Sequence, residues 1–162
     1  CKDRLPAAVA VVDPHRPDGG YPHKNLSGVG VAFKLACALC GDQEAVLRDY
    51  ADMVCLGTVA DVMRLTGENR AIVRRGIEHL GEGHVGISAI IDAAGLRKRA
   101  LSASTVGYGI APRLNAAGRV GSCLRAVRLL IEQDGEAAYA LAKEINCRCP
   151  ADSRLPRSFT SV

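Results

Sequence analysis

Ala7-Ala-Val-Ala-Val-Val12 is a short, unbroken apolar run closed by Asp13-Pro14. Half of its residues are valine and none is polar, which suits a strand buried on both faces, as in a parallel sheet. On that reading the chain is an α/β protein. Downstream, His15-Arg-Pro-Asp-Gly-Gly-Tyr-Pro-His23 is too dense in Pro and Gly for a regular element and reads as a loop.

From Ser27 the period changes to that of a helix. Ser27 is a candidate N-cap, Val29, Phe33, Ala36, Cys37 and Cys40 fall on one stripe, and Gly41 stops it. Gly28 and Gly30 lie in the first turn, where a backbone can come close to another group. A second helix is expected from Glu44 to about Asp61, although Met53-Val-Cys-Leu-Gly-Thr-Val59 would serve equally as a strand by composition. Further helices are expected over Glu68–His79, Ile87–Ala94, Ser122–Glu132 and Glu136–Asn146. Ser104-Thr-Val-Gly-Tyr-Gly-Ile-Ala-Pro-Arg-Leu-Asn-Ala-Ala-Gly-Arg119 reads as irregular. After Asn146 the residues lose all period, carry two prolines and scattered arginines, and read as an irregular tail.

Composition narrows the class. With 48% hydrophobic and 23% charged residues the chain has the balance of a soluble globular protein, and 162 residues make about one domain. No apolar run approaches the roughly 18 residues of a membrane span, and no basic-then-apolar leader opens the sequence, so no membrane role and a cytoplasmic location are expected. The first residue is Cys1 rather than Met, which suggests a piece of a longer chain. The Cys37-x-x-Cys40 pair is followed by no second pair at zinc-finger spacing and reads as apolar helix packing. The seven cysteines, an odd count, fit reduced thiols. Net charge is +4, and leaving aside Arg148, Arg154, Arg157 and Asp152 near the C-terminus reduces it to +2. Such a balance does not argue for nucleic acid by itself.

Two places could carry chemistry. Asp61 ends the apolar segment Leu56-Gly-Thr-Val-Ala-Asp-Val62, where a carboxylate needs a hydrogen-bond set, water or a cation, so it is either a locally bonded helix-end residue or a metal ligand. In Pro112-Arg-Leu-Asn-Ala-Ala-Gly-Arg119, two arginines flank Asn115 and a small-residue turn. Guanidinium groups grip phosphate bidentately, yet two surface arginines near a helix start would look the same. His15 and His23, with Asp13 and Asp18 nearby, lack a fixed ligand spacing. His79 and His84 read as solvent-facing, His79 near a helix C-terminus where a cation is favoured.

Three segments in series, Leu5–Pro14 with Leu26-Ser-Gly-Val-Gly-Val-Ala-Phe33, Leu56–Val62 with Gly67-Glu-Asn-Arg70, and Ala111–Arg119, resemble the RecJ-like single-stranded-DNA exonucleases of the DHH phosphoesterase superfamily, over roughly residues 1 to 146. The resemblance implies the C-terminal, mostly helical part of a DHH-type parallel-sheet domain over 1–103, then a helical segment over 104–146 leading toward a DHHA1 domain. Residues 147–162 would be an irregular, possibly frameshifted tail. It further implies that the Asp-His-His signature and earlier Asp motifs lie upstream of Cys1. Asp61 would then be the last acidic ligand of a two-metal Mn²⁺ or Mg²⁺ site, and Arg113, Asn115 and Arg119 would lie near the nucleic-acid backbone. The implied activity of the parent is 5′-to-3′ hydrolysis of single-stranded DNA in repair and recombination, with repair or replication proteins as further partners. One carboxylate cannot hold two metals, so this chain alone is expected to be inactive. Two alternatives stand beside it: another DHH phosphodiesterase, acting on short oligonucleotides, cyclic dinucleotides or polyphosphate, or a catalytically dead scaffold.

Overall fold

Ser27 starts the first helix as its residue type suggests: its backbone is extended and its hydroxyl accepts a hydrogen bond from the Gly30 amide at 3.1 Å. The helix, α1 (Gly28–Cys40), ends where Gly41 turns left-handed at φ 74°. In this computed structural model residues 5–97, 100–119 and 123–147 are described, with the side chains of Gly118 and Arg119 outside that description. Six more α-helices follow among the described residues: α2 (Gln43–Ala60), α3 (Gly67–Glu78), α4 (Val85–Ala93), α5 (Ala111–Arg119), α6 (Cys123–Ile131) and α7 (Gly135–Cys147). Met53–Val59 is therefore helical, in the last turns of α2. Residues 148–162, nearly all of the irregular tail, lie outside the described residues.

Two expectations about secondary structure differ from what the described residues show. Among the described residues there is no strand, and Ala7–Val12 runs without regular structure, exposed except at half-buried Val11. A strand needs a neighbour for its amides and carbonyls, and no described segment lies extended beside it. The segment 104–119 is helical rather than irregular. Thr105–Ile110 is a π-helical turn running directly into α5, closed by a hydrogen bond from the Ala111 amide to the Val106 carbonyl. Pro112 has no amide to give and its ring crowds the preceding turn, so a locally wide turn lets the helix pass through it.

The helices share one main core. Cys55 and Leu56 of α2, Val73 of α3, Ile87, Ile90 and Ile91 of α4, Val106 and Ile110 of the π-helical turn, Leu129 of α6 and Ile145 of α7 are buried together. Each large aliphatic side chain there contributes about 1.5–3 kcal/mol. A smaller cluster of Phe33, Val46, Val54 and Ile72 joins α1, α2 and α3. Cys40 is exposed and Cys37 half-buried, so only part of the expected α1 stripe packs. The buried Cys55 thiol is pushed up to about 12 by desolvation and the Asp52 charge. Ahead of α1, Tyr21 donates to Glu68 Oε2 at 2.6 Å, which moors the loop to α3, and Lys34 Nζ of α1 lies 2.5 Å from Glu68 Oε1. Burial alone would raise the Glu68 carboxyl, but the bonds from Lys34 and Tyr21 outweigh it and hold it below its usual range.

Gly86 marks the tightest crossing of helices. A Cβ there would run into the Leu129 carbonyl and the Leu130 backbone of α6. The obstacle is main chain and cannot swing aside, so Gly86→Ala is expected to cost about 3 kcal/mol in urea unfolding. A loss under about 0.5 kcal/mol would mean that α4 and α6 are not packed in this way.

Candidate functional site

Asp61 is the C-cap of α2. Its amide donates to the Gly57 carbonyl at 3.0 Å, and its carboxylate is exposed and makes no hydrogen bond or ion pair among the described residues. The next residue, Val62, holds φ 55°, a left-handed conformation that costs a β-branched residue about 1–2 kcal/mol. Hydrogen bonds on both sides enforce it: Val62 N–H to the Val59 carbonyl at 3.0 Å, and Met63 N–H to the Thr58 carbonyl at 3.3 Å. The chain thus reverses around Asp61 and presents its side chain outward.

What it faces is the start of α1. Gly57 leaves room for Val29, whose Cγ1 would stand 2.7 Å from a Cβ at that position. Beside that contact, Thr58 Oγ1 lies 3.0 Å from Ser27 Oγ, and both residues are buried, at 1% and 2% exposure. The third wall comes from α5. The result is an open hollow of about 430 Å³ lined by Ser27, Gly28, Val29, Gly57, Ala60, Asp61 and Asn115. Residues from all three sequence segments therefore meet at one place.

The two arginines fare differently from Asn115. Arg113 is turned inward at 2% exposure, donating from Nε to Asn146 Oδ1 at 2.6 Å and from Nη1 to the Gly109 carbonyl at 2.5 Å. Asn146 in turn donates to the Ala93 carbonyl at 2.9 Å, so Arg113 ties α5 to α7 and to the end of α4. Arg119 is the last residue of α5 and its side chain lies outside the described residues.

The histidines give no metal centre. Asp13 Oδ1 accepts from the His15 amide at 2.8 Å, a bond that holds its carboxyl below the usual range, and Asp18 is paired with Arg16. His79 caps α3, but His84 is not the solvent-facing residue expected. Its Nδ1 lies 2.8 Å from Asp52 Oδ1, its amide donates to Asp52 Oδ2 at 3.1 Å, and its ring packs on Tyr50. Sequence reasoning missed this pair of a buried acid and a half-buried histidine. The available signal was Asp52 itself, an acid on the inward side of an apolar helix. Among the described residues no group of three or more His, Cys, Asp or Glu could hold a metal ion.

No family model matches the chain. It is 43% identical over 143 residues to the single-stranded-DNA-specific exonuclease RecJ of Bacillus subtilis, covering 88% of this chain and 18% of that protein. The structure is similar to a solved exonuclease RecJ bound to manganese, with a TM-score of 0.74, 36% identity, and coverage of 90% of this chain and 37% of that one. The chain is RecJ-like. A RecJ from Thermus thermophilus solved with Mg²⁺ is also similar, with a TM-score of 0.69, 37% identity, and coverage of 82% of this chain and 21% of that one. The RecJ-like chain spans between 18% and 27% of the length of the curated relatives it matches. Among the described residues no helix is long and apolar enough to cross a membrane.

The contrast between the inward Arg113 and the exposed Asn115 has a measurable consequence. Arg113→Ala removes the side-chain bonds to Asn146 Oδ1 and the Gly109 carbonyl that tie α5 to α7, and is expected to lower the unfolding free energy by at least about 2 kcal/mol. Asn115→Ala should stay within about 0.5 kcal/mol of the parent. Urea unfolding of both variants checks this, and equal losses would contradict the assigned geometry.

Proposed function

We propose that this chain is part of a metal-dependent exonuclease that hydrolyses single-stranded DNA from the 5′ end in repair and recombination. The observation that carries the reading is the meeting of Asp61, the start of α1 and Asn115 around one hollow. Support comes from the RecJ relatives and from neighbouring structures solved with Mn²⁺ and Mg²⁺. Residues 1–103 would complete a DHH-type domain and 104–146 would lead toward a second domain. In that setting Ala7–Val12 would find the neighbouring strands it lacks here and join a parallel sheet.

The donor chemistry at the hollow fits one corner of a divalent-cation site. Asp61 offers a hard carboxylate oxygen, exposed and uncommitted to any described side chain. It is one ligand, and the remaining ligands would come from outside this chain. Mn²⁺ or Mg²⁺ bound there would activate water and stabilise charge on the attacking and leaving oxygens of a phosphodiester.

The chain's own residues do the rest of the placing. The turn at Val62 fixes where the Asp61 backbone stands and so limits where its carboxylate can reach. Asn115, on the exposed side of α5, can give amide hydrogen bonds to a phosphate or sugar oxygen, and Arg119 would add charge. Arg113, committed to Asn146 and Gly109, would hold the segment in place. Contacts of this kind favour backbone over base, so binding would be salt-dependent and largely blind to sequence.

In the complete protein, Asp61→Ala is expected to cut manganese-dependent release of nucleotides from 5′-phosphorylated single strands by at least roughly two orders of magnitude, with an almost unchanged melting temperature. The isolated chain should release none. Degradation by the isolated chain, lost in Asp61→Ala, would overturn the reading of a shared site, and full activity of the complete Asp61→Ala protein would overturn Asp61 as a ligand.

A further inference from the structure

We propose that the Ser27–Thr58 hydroxyl pair is a latch that aims Asp61 into the hollow, so that both residues are positioning residues for the cation held there. This rests on the reading of Asp61 as a metal ligand. Thr58 does not line the hollow, and the two buried hydroxyls are committed to each other at 3.0 Å.

The two partners stand at the roots of opposite walls. Ser27 is the N-cap of α1, and the same oxygen that meets Thr58 accepts the Gly30 amide at 3.1 Å. Moving Ser27 therefore moves the first turn of α1, Gly28 and Val29 included. Thr58 lies one helical turn before Asp61. Its carbonyl accepts the Met63 amide at 3.3 Å, which closes the reversal in which Val62 is held left-handed at φ 55°.

One residue thus grips the Asp61 turn through its backbone and the α1 wall through its side chain. A strained turn persists only where its surroundings over-determine it. Here the surroundings are the Thr58 carbonyl, the Val59 and Gly57 carbonyls, and the latch behind them.

A cation shared among ligands from distant segments tolerates little misplacement, of order 0.5 Å. The Gly57–Val29 contact sets how closely α1 and α2 approach, but it is non-directional packing. The hydroxyl bond adds direction, because it fixes the rotation of α1 against the last turn of α2. Replacing either hydroxyl removes no apolar side chain from the two buried clusters. Losing the bond should therefore loosen the hollow without opening the core.

The test uses the complete protein with Thr58→Val, which keeps the shape and removes the hydroxyl, and Thr58→Ser, which restores it. Mn²⁺ affinity is measured by calorimetry, beside amide hydrogen exchange over residues 58–64 and the melting temperature of the metal-free protein. Thr58→Val is expected to weaken Mn²⁺ binding roughly tenfold or more and to speed exchange at Asp61, Val62 and Met63. Thr58→Ser should recover both. Ser27→Gly breaks the same bond from the α1 side with a residue still tolerated as an N-cap, and should match Thr58→Val. Mn²⁺ affinity within twofold of the parent in Thr58→Val and Ser27→Gly, while Asp61→Ala loses it, would overturn the latch and leave Asp61 as a ligand. Unchanged affinity in Asp61→Ala as well would overturn the reading on which the latch rests.

Discussion

The arrangement depends on how the first turn of α1 meets the last turn of α2. Gly57 has no side chain, so Val29 can press against the α2 backbone, and beside that contact the Ser27 and Thr58 hydroxyls satisfy each other out of water. Were the two helices to meet elsewhere along their lengths, Asp61 would cap a helix in open solvent with nothing opposite. Because they meet at their ends, the first turn of α1 and the acid that closes α2 border the same space. The fold spends a strained Val62 to reverse the chain there, and that strain at an exposed acid marks the turn as more than a connection.

The third wall is held from behind. The π-helical turn Thr105–Ile110 packs on α2, with the backbone at Gly107 close to Val59, and α5 continues from it to carry Asn115 to the rim. Arg113 anchors that arrangement by bridging Asn146 of α7 and the Gly109 carbonyl, and Asn146 passes the link on to Ala93. A guanidinium buried in this way is an internal strut. Within one short segment, then, the residue facing the core and the residue facing the hollow do different work.

Signals in the sequence are legible where the physics is local. Ser27 as a cap and Gly41 as a stop depend only on a few neighbouring atoms. Met53–Val59 is ambiguous in sequence because a short apolar run packs equally well as strand or helix, and packing against α3 decides it. Gly107, Gly109 and Pro112 look like breakers, yet a wide π-turn absorbs the proline. Ala7–Val12 has the composition of a buried strand, but a sheet is made by partners, and none is present among the described residues. The Asp52–His84 pair joins residues far apart in sequence, which no period or spacing announces. Of the candidate site, Asp61 and Asn115 are legible as residue types in suggestive segments. Their common hollow is not, since it is a product of helix crossings.

In the proposed reading Asp61 and Asn115 border a cation and nucleic-acid site completed by other parts of the protein. The most direct test is a crystal structure of the complete protein grown with Mn²⁺, read from the anomalous scattering of the metal. An anomalous peak is expected in the hollow between α1, the Asp61 turn and α5, with an Asp61 carboxylate oxygen within about 2.2 Å of the ion. Manganese bound elsewhere, with the Asp61 carboxylate left in water, would contradict it.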